Sequence, residues 1–202
     1  MPDPGSDQER IPAPVPTEPQ PFFVEFLPAA YRRIRDGFVR YSSPGSFGVR
    51  IGEQTWSLRI SDGALEVTES AEPDTLMSLA TSPEDFAALC SLIAEDDSAS
   101  DFPSTPFLWD AETATLLRQL PGLIVVEIEQ EAARFRVVIG PGTRSTPDYM
   151  LTDSDCCVHC KMSDLVEVRR GKQSPMQLFL DGKLQLSGNV QIALALGGLL
   201  SR

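Results

Sequence analysis

The sequence predicts an α/β (α+β) fold in which helices cover a mixed, mainly antiparallel sheet. Two sets of short β-like runs, one in each half of the chain, are flanked by helical patterns. The last predicted helix, Val190 to Leu200, is apolar on most of its circumference. Such a helix must be buried or must cover something apolar.

The N-terminal region differs in composition from the rest of the chain. Residues 1–20 contain six prolines among acidic and polar residues, a composition that favours extended backbone, so we expect a disordered leader. From Phe22 to Tyr41 the apolar residues recur at steps of three and four, with arginines between them. This periodicity predicts an amphipathic helix, bent at Pro28.

The first set of β-like runs predicts antiparallel strands followed by a helix. The runs span residues 47–51, 55–60, 64–69 and 75–80. Between the second and third, Ser61-Asp62-Gly63 is a tight-turn signal, so Trp56 and Leu65 should lie on one face of a hairpin. Ser82 is a good N-cap and Pro83 suits a first helical position, which predicts a helix over 83–94.

The second half repeats the pattern after an acidic stretch at residues 95–106. Asp110 can cap a helix that continues through Leu120 and ends at Pro121-Gly122. Strand signals follow at 123–129, 134–139 and 149–160, and a helix begins near Asp164. The chain then shows a short helix from Ser174, a turn at Asp181-Gly182, a strand over 183–187 and the closing helix.

The C-terminal stretch resembles the sterol carrier protein family of lipid-binding domains. The matching residues are Pro175, Met176, Phe179, Gly182, Lys183, Leu184, Leu186, Gly188 and the helix that ends at Leu200. Asn189 stands where the family usually has Asp. The order of elements in the first half is similar to the body of the same family. The resemblance implies that fold and a cavity between the sheet and the closing helix.

The two halves also echo each other. Glu72-Pro73-Asp74 corresponds to Thr146-Pro147-Asp148, which favours a degenerate internal repeat; the alternative is one sheet with a helical insertion in its middle. We divide the chain into a leader (1–20), an N-terminal sterol-carrier-like half (21–94), an acidic linker and helix (95–122) and a C-terminal half (123–202). The first half has no closing helix of its own and would need the second to complete its core.

Composition excludes several classes of partner. The net charge is −12, so we expect no binding to nucleic acid or to anionic membrane surfaces. The sequence contains no run of about 18 apolar residues and no signal-peptide pattern, which predicts a cytoplasmic protein without stable membrane insertion. The four cysteines, three of them within five positions, suit reduced thiols better than a disulfide framework.

The cluster Cys156-Cys157-Val158-His159-Cys160 is the strongest candidate for metal binding or catalysis. On a strand, however, Cys156 and Cys160 face one way while Cys157 and His159 face the other, so the ligands do not converge. His159 is the only histidine, and no Gly-x-Ser-x-Gly pattern occurs. We therefore predict no metal site, no catalytic residue and no cofactor.

The resemblance instead implies non-enzymatic binding of a hydrophobic ligand, such as a fatty acyl chain, a sterol-like molecule or an isoprenoid lipid. The residues expected to line its cavity are Phe86, Leu165, Met176, Phe179, Leu180, Leu194 and Leu199. The alternative is an accessory module with a filled cavity that partners an enzyme of lipid or quinone metabolism. In that case the apolar surface of the closing helix would bind a protein partner or a second copy of the chain.

Overall fold

The computed structural model describes residues 14–34, 42–95, 110–120, 122–131, 133–142, 147–148, 150, 154–169 and 172–200. Within them, eight strands form one mixed sheet in the order β3-β2-β1-β4-β6-β5-β7-β8. The strands are β1 (Ser46–Ile51), β2 (Gln54–Ser61), β3 (Ala64–Thr68), β4 (Thr75–Thr81), β5 (Ile124–Gln130), β6 (Ala133–Pro141), β7 (Cys156–Lys161) and β8 (Gln185–Gly188). Five of its neighbouring strand pairs are antiparallel and two are parallel. The predicted fold class is confirmed.

The helices flank the strands in sequence. They are α1 (Pro19–Pro21), α2 (Leu27–Ile34), α3 (Pro83–Glu95), α4 (Ala111–Gln119), α5 (Met162–Arg169), α6 (Pro175–Leu180) and α7 (Val190–Leu200), and a π-helical turn (Phe22–Phe26) joins α1 to α2. The predicted cap of α4 is present, because the carboxylate of Asp110 accepts a hydrogen bond from the Thr113 amide at 2.7 Å.

The N-terminal helical segment begins earlier than its periodicity indicates. Val15 already packs against the main core and the helix starts at Pro19, so the predicted leader ends before residue 20. The irregularity expected at Pro28 lies one turn upstream, where the Leu27 amide bonds the Phe22 carbonyl. A proline has no amide hydrogen to donate to the carbonyl four residues earlier, and a widened π-helical turn accommodates it. Residues 1–13 and 35–41 lie outside the described part of the chain.

Among the described residues, two predicted strands begin later than expected, and backbone hydrogen bonds explain where each one starts. Of the run 149–160, residues 149 and 151–153 lie outside the described part of the chain, and the described strand begins at Cys156. The amides of Asp155 and Cys156 both bond the Leu123 carbonyl and bring the chain into the sheet there. The run 183–187 forms a strand only from Gln185. The amides of the two preceding residues are used instead to bond the Leu178 carbonyl at the end of α6.

The topology of the first half recurs in the second. In each, a hairpin (β1 with β2, β5 with β6) is joined by a strand parallel to its first member (β4, β7), and that strand leads into a helix (α3, α5). Both hairpins have a two-residue turn whose first residue, Gly52 or Glu131, has a positive φ. The residue directly before the parallel strand is Asp74 in one half and Asp155 in the other, so Asp148 is not the counterpart of Asp74. The repeated topology lies within one continuous sheet.

One core extends across both halves. Phe23 and Trp56 from the first half belong to the same buried cluster as Ile124, Ile192 and Leu196 from the second. Helix α4 packs against both β4 and α7. The first half thus completes its core with elements of the second, as the missing closing helix predicts.

Candidate functional site

A cavity of about 400 Å³ lies between the second half of the sheet and the two C-terminal helices. Its wall is apolar except for Ser174. Strand residues form the floor and helical or loop residues form the remaining wall: Ile124, Val126, Ile139, Val158 and Leu186 on one side, and Ser174, Pro175, Met176, Phe179, Leu184, Ala193, Leu194, Leu196, Gly197 and Gly198 on the other.

The floor results from the two-residue period of neighbouring strands. Ile124 and Val126 of β5 lie beside Cys156 and Val158 of β7 in register, and the paired side chains point to the same face. The residues between them point to the opposite face. There Glu127 pairs with His159, with 3.1 Å between Oε2 and Nδ1. The Glu127–His159 pair therefore lies across the sheet from the cavity.

Helix α6 is held over the cavity by its caps and by one buried residue. The hydroxyl of Ser174 accepts a hydrogen bond from the Gln177 amide at 3.1 Å, and Pro175 occupies the first turn. Leu178 is fully buried and anchors the helix. Met176 and Phe179 are left to line the cavity.

Helix α7 closes the cavity from the other side. Ile192 and Leu196 are buried in the main core and fix the helix on the sheet. Leu196 also reaches the cavity wall, together with Ala193, Leu194, Gly197 and Gly198. The last two leave the helix backbone bare where it faces the cavity.

Met176 lies at an exposed edge of the cavity. Its side chain lines the cavity and is also 52% exposed. One turn further along α6, Leu180 is 70% exposed and does not line the cavity. The rim at α6 is therefore apolar on both its inner and outer sides.

Of the seven residues predicted to line a cavity, the structure brings together Met176, Phe179 and Leu194. Phe86 instead packs in the first half, with ring centroids 5.2 Å from Phe22 and 5.8 Å from Phe23.

The other three predicted residues also lie elsewhere. Leu165 packs against the cluster of Ile128, Phe135 and Cys160, and Leu199 packs against the main core. Leu180 points outward. Helical periodicity identifies an apolar face but does not say which part of the core that face meets.

The floor of the cavity and the bare part of α7 were not among the residues predicted from the sequence. Ile124, Val126 and Ile139 carry a usable signal, since they alternate with residues of the opposite face on strands that were predicted. Gly197 and Gly198 carry a signal of another kind, because glycine is a poor helix former and two adjacent glycines inside a helix are unexpected.

The cysteine cluster has the alternation that the sequence predicts. Cys156 and Cys160 are buried on the side of the helices, while Cys157 packs with Ala80, Val125 and Val138. Burial raises the pKa of the Cys160 thiol to about 11, with a smaller contribution from the Asp164 carboxylate, and burial alone raises that of Cys90 to about 12. Both thiols are therefore protonated at neutral pH. Within the described ranges, His, Cys, Asp and Glu side chains form no group of three that could hold a metal ion.

No helix in the described part of the chain combines the length and hydropathy needed to cross a bilayer.

Comparison with known proteins places the second half in a family. Residues 107–201 match the SCP-2 sterol transfer family, a range that contains α4 to α7 and every residue lining the cavity. A comparison with curated proteins gives no match.

Solved structures of sterol carrier proteins show a weak overall similarity. Sterol carrier protein 2 from Yarrowia lipolytica (apo form) is 23% identical, over 45% of this chain and 75% of that one, with a TM-score of 0.34. The sterol carrier protein domain 2 of Helicoverpa armigera is 18% identical, over 66% of this chain and 93% of that one, with a TM-score of 0.36. The UbiJ-SCP2 ubiquinone synthesis protein is 19% identical, over 57% and 91%, with a TM-score of 0.34. On the strength of the family match, residues 107–201 of this chain form an SCP-2 sterol transfer family domain.

Proposed function

We propose that this protein is a non-enzymatic carrier that binds one hydrophobic ligand in the cavity under α7. The observation that supports the proposal is the apolar cavity of about 400 Å³, whose lining residues all fall within the range matched to the SCP-2 sterol transfer family. The ligand classes that suit this wall are fatty acyl chains, sterol-like molecules and isoprenoid lipids.

The size of the cavity suits a single lipid tail. If a methylene group takes up about 30 Å³, the share of a water molecule in the liquid, the cavity holds roughly a dozen carbons. Each buried methylene contributes about 0.8 kcal/mol, so such a tail contributes roughly 10 kcal/mol before the cost of ordering. After an ordering cost of about 4 kcal/mol, roughly 6 kcal/mol remains, which corresponds to a dissociation constant of some tens of micromolar without any fixed charge.

The chemistry of the wall supports a position of the polar end of the ligand at the opening. Ser174 is the only polar side chain among the lining residues, and its hydroxyl already accepts the Gln177 amide. A carboxylate or hydroxyl inside the cavity would lose its hydration without gaining a charged partner. The head group of the ligand therefore stays beside Met176, in contact with water.

Filling the cavity tests the proposal. Ala193→Phe adds a ring to the wall from α7, whereas Ala195→Phe adds the same ring to the exposed side of the same helix. We expect the first variant to lose at least tenfold in affinity for a fluorescent fatty acid and the second to bind like the unaltered protein.

Lipid that copurifies with the unaltered protein should be identified by mass spectrometry in the same preparations. Circular dichroism of both variants verifies that they remain folded. Absence of bound lipid together with no uptake of the probe by the unaltered protein would refute the carrier function.

A protein-interaction function is the second candidate, and the outer face of α6 favours it. Met176 and Leu180 are exposed there by 52% and 70%, on adjacent turns. Apolar side chains grouped in this way suit a protein interface. The partner that we propose is an enzyme of lipid or quinone metabolism. Replacing Leu180 by Gln would then weaken the complex with that enzyme and leave uptake of the fatty acid unchanged.

We also propose a reducing compartment such as the cytoplasm. The four cysteines are unpaired, and three are buried as small apolar side chains, which supports this location.

A further inference from the structure

We infer that Gly197 and Gly198 determine how long a lipid tail the cavity accepts. The inference rests on the proposed carrier function and concerns the same cavity. It assigns to two glycines of α7 the role of providing the space for the distal part of a single, unbranched chain.

The stability of α7 does not explain why glycine occupies these two positions. Glycine is the poorest helix former after proline, and α7 continues past both residues to Leu200, so neither terminates it. The glycines of the described chain that adopt a positive φ lie at other positions. Any residue can adopt the backbone conformation found at Gly197 and Gly198.

Packing against neighbouring atoms does not require glycine at positions 197 and 198. A Cβ built at Gly197 or at Gly198 meets no described atom within 4 Å. At Gly188, in contrast, a Cβ would lie 2.5 Å from the carbonyl oxygen of Asp155, and at Gly45 it would lie 2.6 Å from that of Asp74. Those two glycines permit a close approach of the backbone, whereas Gly197 and Gly198 border open space.

The open space beside these glycines belongs to the cavity. Both glycines line the cavity, and Gly198 is exposed whereas Gly197 is half-buried. The bare stretch of helix therefore extends from the interior of the cavity toward its edge. A tail lying along it gains contact with the backbone over a length that any longer side chain would block.

The test compares the chain-length dependence of binding in three proteins. Saturated fatty acids of about 8, 12 and 16 carbons displace a fluorescent fatty acid from the unaltered protein, from Gly197→Leu and from Ala195→Leu. The last variant adds an identical side chain to the exposed side of α7. In the unaltered protein we expect affinity to rise about fourfold per methylene up to roughly a dozen carbons.

A leucine side chain occupies the space of about four methylene groups. Gly197→Leu should therefore lose on the order of a hundredfold for the longest acid and less than about threefold for the shortest. Ala195→Leu should leave the whole series unchanged. An equal loss at every chain length, or the same loss in both variants, would overturn the inference.

A second variant guards against a folding defect in the first. Gly197→Ala combined with Gly198→Ala shortens the accepted tail by about two carbons and raises the melting temperature by about 2–4 °C per glycine, because alanine favours the helix. A lower melting temperature would show that the glycines serve packing, and would contradict the inference. If the unaltered protein binds no fatty acid of any length, the carrier function itself fails, which is a different result.

Discussion

At the scale of single residues, one ion-pair cluster fixes the entry of the chain into β4. The Nη2 atom of Arg59 in β2 donates to Oε2 of Glu72 and to the carboxylate of Asp74, each at 2.6 Å. Asp74 directly precedes β4, the strand that joins the two halves of the sheet through β6. The cluster therefore holds the position of the central strand from its first residue.

This cluster predicts a pH dependence of stability. The hydrogen bonds from Arg59 lower the pKa of Asp74 below its usual value of 3.8, although desolvation opposes them. Because the pKa of Asp74 is lower in the folded state than in the unfolded state, ionised Asp74 stabilises the folded protein. This stabilisation is complete above the pKa of the unfolded state and is lost as pH falls through the pKa of the folded state. Asp74→Asn should therefore lower the melting temperature at pH 7, and its difference from the unaltered protein should shrink as pH falls below about 3.8.

The size of this effect is limited by solvent, because the Asp74 side chain is 43% exposed. We expect a fall of a few degrees at most, since partly exposed pairs contribute about 1 kcal/mol or less. Glu53→Gln removes the same charge from the exposed β1–β2 turn and serves as the control. If the melting-temperature difference between Asp74→Asn and the unaltered protein stays constant from pH 7 to pH 3, ionisation of Asp74 is not its source.

At the scale of elements, the joint between β8 and α7 decides whether the closing helix reaches the cavity. Gly188 has a φ of 78°, and the Asn189 amide bonds the Asp155 carbonyl at 2.6 Å. Gly188→Ala adds strain at this φ and forces a contact with the backbone of Asp155. We expect a loss of about 1–3 kcal/mol in the free energy of unfolding, measured by urea denaturation, together with weaker uptake of a fluorescent fatty acid.

A matched variant separates strain from contact. Gly182 also has a positive φ, of 71°, but a Cβ there meets no described atom within 4 Å. Gly182→Ala should therefore cost only the backbone strain of about 1 kcal/mol. Equal losses at the two positions would mean that the approach of Asp155 is unimportant for the position of α7.

The elements predicted accurately from sequence are those with local causes. Asp62 and Gly63 both have positive φ in the β2–β3 turn, and Asp110 caps α4. Such features depend on a few adjacent residues, so the sequence shows them directly. The start of β7 depends instead on Leu123, more than 30 residues away, and no local pattern reveals it. For the same reason, only part of the cavity wall was predicted. The residues of its floor can be identified only when the neighbouring strands are known.

At the scale of the whole molecule, the two halves of the repeated topology differ in the size of the described side chains at the position of the cavity. When the two hairpins are aligned at their turns, Val126 corresponds to Phe47, and its parallel partner Val158 corresponds to Met77. Phe47 and Met77 are larger and both are buried. Phe22 and Phe23 of the N-terminal helical segment add aromatic rings to the same core cluster. Among the described residues, the first half therefore has larger buried side chains at the positions that correspond to the cavity floor of the second half.

The core shared by the two halves predicts that the second half does not form a stable monomer alone. A fragment of residues 107–202 loses β4, which pairs with β6 from Val137 to Pro141. It also loses the bond from the Thr81 hydroxyl to the Arg136 carbonyl, at 2.7 Å, and the bond from the Arg136 amide to Asp85, at 3.0 Å. The edge of β6 would then expose unpaired backbone groups beside apolar side chains that had been buried in the shared core.

We expect this fragment to unfold or to self-associate through β6, as measured by light scattering after size-exclusion chromatography, while the whole chain unfolds in a single thermal transition. Adding residues 14–95 as a separate chain should restore a monomeric complex and, with it, uptake of fatty acid. A fragment that is monomeric on its own, with a melting temperature close to that of the whole chain, would show that the first half is dispensable. The first half would then need another role, since a sheet that is stable without it gains nothing from sharing its core.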